Sequence, residues 1–298
     1  MQESQARRKK TNIIKGREKR RQISVRRRED EKTPMKDDKL QVQDVGLVCS
    51  PHQEIRANEV QEVWQKEACE VVVAVVPSKE GTVRYTLRHR EFLTLKPDAW
   101  LMGEVIEAYI QAVCNTTGEG KRLFNLNHYT TQIILTGSRE EVARCSMKRV
   151  HLDQYHGVVG FFNTGAHWKL ICLNAVKEII AVLDPNAHCE TEDSARAAKR
   201  FSEFFKMRRI QHGLEDWVDI KWKPSTIEHT KQTDSSSCGV FVMKMAAEMV
   251  TSFPDLPDEI IVPPSKPNIR ELRLQMAKFL LSSSEKKRPI HTLGGAVD

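Results

Sequence analysis

Between residues 157 and 184 three short apolar runs, "GVVGFF", "HWKLICLN" and "KEIIAVLD", follow one another with few polar interruptions. Runs of this length, rich in β-branched residues and bounded by turn residues, read as strands buried on both faces. Upstream, "CEVVVAVV" before Pro77 and the alternating "TVRYTLRH" read as two more strands, and "WVDIKWKP" further on as another. Elsewhere the spacing turns helical. In "PDAWLMGEVIEAYIQAVCN" the residues Leu101, Val105, Ile106, Tyr109, Ile110 and Val113 recur every three or four positions, with Asp98 as the expected N-cap. "TEDSARAAKRFSEFFKMRR" repeats the pattern with Ala195, Ala198, Phe201, Phe204 and Phe205, and "NIRELRLQMAKFLLSS" ends the series as an amphipathic helix. "EVQEVWQKEA" reads as a short helix. The run from Cys238 to Val250 is apolar nearly all round, which places it at the centre of the fold. Strands and helices are mixed without strict alternation, so the expected class is α+β in one domain.

Charge divides the chain. Of its 47 Lys/Arg and 40 Asp/Glu, residues 1–40 hold 15 and 7, leaving 32 and 33 in the remainder. The globular part is therefore near neutral, and the +7 belongs to a basic tail. That tail has too few large apolar residues to offset the entropy of ordering, so it is expected to be disordered. Its basic clusters suit import receptors or nucleic acid, although no aromatic residue interleaves them for base stacking. The division expected is a tail at 1–40, an N-terminal extension of undetermined structure at 41–81, a folded domain at 82–285 and a C-terminal tail at 286–298. No stretch approaches the ~20 apolar residues of a membrane span, and the charged start is not that of a secretory signal. Seven scattered cysteines contain no C-x-x-C pair, which argues against a disulfide framework or a zinc site and for a reducing, intracellular compartment.

Chemistry enters with "KQTDSSSCGVF". Cys238 starts the buried helix, where the positive end of the helix dipole favours a thiolate. Ser235 or Ser236 is placed to cap that helix, Gly239 to let a substrate backbone approach, and Gln232 to donate to a developing oxyanion. A base is found in the hairpin of residues 167–184. A turn at Asn174-Ala175-Val176-Lys177, with Asn174 opposite Lys177, pairs Ile171 with Ile180, Lys169 with Val182, and His167 with Asp184. Ala-Val is a poor two-residue turn, so a four-residue loop in that register is expected. Nucleophile, base, orienting acid and oxyanion donor together define acyl transfer.

These residues resemble a known family. "HW" at 167–168, Asp184 seventeen residues after the histidine, and Gln232 six residues before "CG" at 238–239 are similar to the ubiquitin-like-protein (SUMO or sentrin-specific) cysteine proteases. "LRHREFLTLKPDAWLMGEVIEAY" resembles that family's entry segment. The resemblance implies a papain-like fold with chain order His, Asp, Cys, its central mixed or antiparallel sheet flanked by helices. It implies Cys238 as nucleophile, His167 as base and acid, Asp184 as orienter, and Gln232 with the Cys238 backbone N–H as oxyanion hole. Trp100 and Trp168 would wall a tunnel for a C-terminal Gly-Gly. The implied partner is a ubiquitin-like protein, SUMO or NEDD8, and no metal or organic cofactor is needed. Two departures stand out: Met102-Gly103 replaces a polar-acidic pair, and Ser237 replaces an Asp. On the first, Gly103→Asp is expected to improve SUMO cleavage. The expectation is a nuclear peptidase or isopeptidase. Its alternatives are a protease of a mobile-element-like protein with another substrate, and a non-catalytic module that binds a ubiquitin-like protein.

Overall fold

The computed structural model describes residues 57–118, 122–186 and 190–285, all of them within one compact unit, 46–298. The basic tail, residues 41–56, the His188-Cys189 pair and the tail at 286–298 lie outside the described residues.

At the centre is a five-stranded mixed sheet, ordered β3-β4-β5-β6-β7. Its strands are β3 (Leu123–Leu126), β4 (Gly157–Asn163), β5 (Trp168–Asn174), β6 (Ile179–Leu183) and β7 (Lys223–Ser225). The three apolar runs form β4, β5 and β6, paired antiparallel, while β3 and β7 join their flanks in parallel. Both faces of these strands are covered, which explains why they read as unbroken apolar runs. Val159, Phe161, Leu170, Cys172, Ala181 and Leu183 enter one core. Their neighbours Val158, Phe162, Ile171, Leu173, Ile180 and Val182 enter the other.

The first core holds α1 (Ala57–Gln65), α3 (Gly103–Thr116), α7 (Cys238–Ser252) and α8 (Lys266–Ser282). Met243, Met245, Ala246 and Val250 have no exposed surface, as expected of a helix apolar on every side. Val60, Val63 and Trp64 of α1 and Ala74 and Val76 of β1 (Val72–Pro77) join the same core. That strand does not extend the main sheet; it pairs antiparallel with β2 (Arg84–Arg88), which the short α2 (His89–Phe92) follows. The second core is built on α6 (Glu190–His212), whose Ala197, Phe201, Phe204 and Phe205 pack on the sheet. Here α4 (His128–Thr136) and α5 (Arg139–Arg144) lie nearby, while β8 (Glu228–His229) and β9 (Glu259–Ile260) form a small parallel pair.

Two expected elements differ. The helix at 98–113 starts at Gly103, with Met102 in the N-cap position and Asp98 at φ 61° in the preceding turn. Trp100 and Leu101 are thereby in the approach to the helix and not on it. "WVDIKWKP" is mostly turn, and only its end enters β7. Its apolar residues serve another purpose, since Trp217 and Trp222 pack on Phe205 with ring centroids 5.7 and 6.0 Å away.

One buried cation fixes the second layer. The Arg208 side chain has no exposed surface, and its Nε lies 2.5 Å from Asp216 Oδ2. Its remaining donors reach the carbonyls of Ser146, Met147 and Val150 at 2.5, 2.9 and 2.6 Å. Arg208→Met should cost about 3–5 kcal/mol, because it leaves a buried carboxylate and several carbonyls unpaired. Urea unfolding measures this; a midpoint equal to wild type would show that the loop is held by other contacts.

Candidate active site

The β5–β6 hairpin sets the site. Its loop, Ala175 to Glu178, is closed by Asn174 opposite Ile179, and Ile171 lies opposite Val182. The register is therefore shifted by two residues from the expected one, with Glu178 at φ 59° taking the left-handed position that Ala-Val could not supply. An even shift leaves every side chain on the face it was assigned to. Continued outward, it puts Lys169, not His167, directly opposite Asp184, and makes His167 the diagonal neighbour on the same face.

Both residues reach the acid. His167 Nε2 lies 2.6 Å from Asp184 Oδ1, and Lys169 Nζ lies 2.7 Å from Asp184 Oδ2. Asn186 N–H also donates to Oδ1 at 2.7 Å. The Asp184 side chain is 1% exposed. Burial alone would favour its neutral form, but the bonds from His167, Lys169 and Asn186 outweigh this and hold the carboxyl well below its usual range. His167 ends the turn between β4 and β5, where Gly165 at φ 97° allows the tight reversal. Burial opposes charging of its imidazole, yet the bonds to Asp184 and to Cys238 raise its pKa to about 9. With Nε2 taken by Asp184, Nδ1 is the nitrogen on the other side of the ring, where the Asn186 amide nitrogen lies 3.4 Å from it. The stability His167 gains from this pair is present in full below about 6.5 and is lost as the pH rises through about 9.

Cys238 is the first residue of α7 and is buried. Ser237, not Ser235 or Ser236, occupies the N-cap position, and its side chain makes no cap bond. Asp234 gathers the chain ahead of the helix instead. Its Oδ1 accepts the Ser236 and Ser237 N–H groups and the Ser237 hydroxyl at 2.9, 2.8 and 2.7 Å. Gln232 is tied to the acid's strand end by its backbone N–H, 2.9 Å from the Pro185 carbonyl. One N–H of its side-chain amide bonds the Asp234 carbonyl at 2.9 Å, leaving the second free to donate elsewhere.

Trp168 faces the opposite side of the sheet from its neighbours His167 and Lys169. Its Nε1–H donates to the Leu101 carbonyl at 3.0 Å, and its ring packs edge-on against Phe161. Trp100 stands 57% exposed in the same approach segment. A cavity of about 370 Å³ lies beside Trp168, lined by Met102, Glu104, His128 and Tyr129.

Two glycines have roles other than those expected. A Cβ on Gly239 would lie 2.9 Å from Leu101 Cβ, so this glycine admits the protein's own Leu101 against α7. A Cβ on Gly103 would lie 2.7 Å from the His128 ring, which Glu107 holds through Nδ1 at 3.1 Å. Gly103→Asp would therefore collide with His128 instead of adding a free surface acid.

Arg273, to which the sequence pattern assigns no role, has no exposed surface. Its guanidinium donates to the carbonyls of Thr94, Lys96, Ala99 and Ser236 at 2.7–3.1 Å, joining the Trp100 approach to the loop before Cys238. A lone arginine in an amphipathic helix gives little sign of this in sequence. Arg273→Lys should cost about 2 kcal/mol or more, since three ammonium donors cannot span four carbonyls. Urea unfolding checks it; an unchanged midpoint would mean the two loops are held independently.

Residues 139–283 match the Ulp1 protease family, C-terminal catalytic domain. The fold is similar to the C-terminal Ulp1 protease domain in complex with Smt3, the yeast ortholog of SUMO: TM-score 0.56 and 17% identity, over 78% of this chain and 98% of that one. It is also similar to the Chaetomium thermophilum Ulp1-like SUMO protease catalytic domain, with TM-score 0.51 and 18% identity over 80% and 93%. No curated protein matches the chain. Over residues 139–283 the chain belongs by sequence to the Ulp1 protease family, C-terminal catalytic domain, and the fold of the described residues is similar to solved catalytic domains of that family.

Proposed function

We propose that the chain is a cysteine peptidase that hydrolyses the bond after the C-terminal Gly-Gly of a ubiquitin-like protein, SUMO first among them. One observation carries the reading: His167 is bonded to a buried, ionised Asp184 at 2.6 Å, and Cys238 at the start of a buried helix is near enough to the same imidazole to help raise its pKa. That is an acid–imidazole–thiol chain inside a family of proteases.

In this reading the Cys238 thiol gives its proton to His167 as Sγ attacks the scissile carbonyl and the carbon–sulfur bond forms. The oxyanion is met by the Cys238 backbone N–H, which has no acceptor within its own helix, and by the second Gln232 amide N–H. As the carbon–nitrogen bond breaks, His167 passes its proton to the leaving amine. A water then attacks the thioester, giving one proton back through His167 and releasing the C-terminal carboxylate and the thiol. Asp184 stays ionised and holds the imidazolium in place.

Substrate class follows from Trp168 and Trp100. Trp168, fixed by Leu101, and the exposed Trp100 suit a narrow passage that only glycine residues can thread. The solved relative in the same fold was found with Smt3, which supports SUMO as first candidate. Basic residues at 1–40 support nuclear import within this reading, and they leave the chemistry to 82–285.

SUMO, NEDD8 and ubiquitin probes ending in an electrophile decide among substrates. An adduct on Cys238 with the SUMO probe is expected, and Cys238→Ala should lower single-turnover cleavage by at least ~10³-fold while still binding the substrate. Labelling by NEDD8 or ubiquitin alone would overturn the choice of SUMO. Cleavage that survives in Cys238→Ala would overturn the mechanism.

A further inference from the structure

Lys169 interrupts an apolar strand, and its side chain is only 11% exposed. A buried ammonium needs close anionic partners. Asp193 on α6 meets that need at 2.8 Å, and Asp193 is itself paired with Arg196. A purely structural lysine would require nothing more. Yet Lys169 also sits 2.7 Å from Asp184 Oδ2, as close to that carboxylate as the imidazole of His167 is on Oδ1.

We propose that Lys169 is a positioning residue that acts through Asp184 to limit how tightly His167 holds its proton. The inference rests on the function read above, in which His167 must hold a proton to protonate the leaving amine and yet release it readily. A carboxylate whose charge is shared with an ammonium stabilises an imidazolium less than one with the imidazole as its only cationic partner. A weaker hold makes His167 a stronger acid at the moment the amine departs. Lys169 is placed to set this balance because the hairpin register puts it directly across from Asp184.

The other charged and titratable groups around Asp184 do not take this role. From α6, Glu190 accepts the Asp184 backbone N–H at 2.7 Å and is itself held by His229 Nε2 at 2.5 Å, with Lys231 beside that ring. Glu190 therefore fixes the backbone, not the carboxylate's charge. Asp193 faces Lys169, Arg196 faces Asp193, and Cys238 on α7 reaches the acid only through His167. The orientation of the acid does not depend on Lys169, since Asn186 N–H holds Oδ1.

The test is an NMR titration of the His167 ring in the full chain, which needs no substrate and so is separate from the question of which protein is cleaved. Lys169→Met should raise the His167 titration by about half a unit or more, a fraction of what a direct ion pair produces. Lys169→Arg, which keeps the charge, should restore it to the wild-type value. If Lys169→Met fails to fold, Lys169→Met with Asp193→Asn removes both buried charges, and in that protein the upward shift should persist. An unmoved or lowered titration in a folded Lys169→Met or double variant would leave Lys169 with a structural role only and overturn the proposal.

Discussion

A carboxylate that is 1% exposed stays ionised only where donors surround it, and Asp184 is surrounded on every side. Its partners come from three places in the chain. The start of β5 and the residue just before it bring Lys169 and His167, the turn after β6 brings the Asn186 N–H, and the start of α6 brings Glu190 to the Asp184 backbone. Neither His167 and Lys169 nor Asn186 can move by a residue without stripping the acid of a donor, and Glu190 holds its backbone in place. Strand register, the docking of α6 and the charge of the site are thus one constraint.

The nucleophile side is held by a different device. Arg273 joins the Trp100 approach to the Ser236 carbonyl, and Asp234 gathers the amides just before Cys238. Leu101 then links both sides, packing into the space left by Gly239 while its carbonyl holds Trp168. The tryptophan next to the imidazole and the helix that starts at the thiol therefore share one anchor.

The main sheet was legible because strands covered on both faces cannot avoid reading as apolar runs, and α7 for the same reason. The pairing of His167 with Asp184 follows even from a register two residues off, because an even slip conserves faces. Lys169 was visible as a lone charge in "HWKLICLN", but its partner could not be assigned without the true register. "WVDIKWKP" misled because tryptophans that pack from a turn look the same as tryptophans in a strand. Gly239 read as an opening for substrate and Gly103 as the place of a missing acid, whereas a side chain distant in sequence lies against each, and no local pattern encodes that. Short β3, β8 and β9 carry too few residues for a period to show.

In the proposed mechanism the Asp184-held imidazolium of His167 does the acid chemistry for Cys238. The pH dependence of kcat/KM for the full chain, on whichever probe-identified substrate it cleaves, tests this most directly. A falling limb near pH 9 in wild type, displaced toward 6.5 in a much slower Asp184→Asn, is the predicted result. A wild-type limb already near 6.5, or one that Asp184→Asn leaves in place, would contradict it.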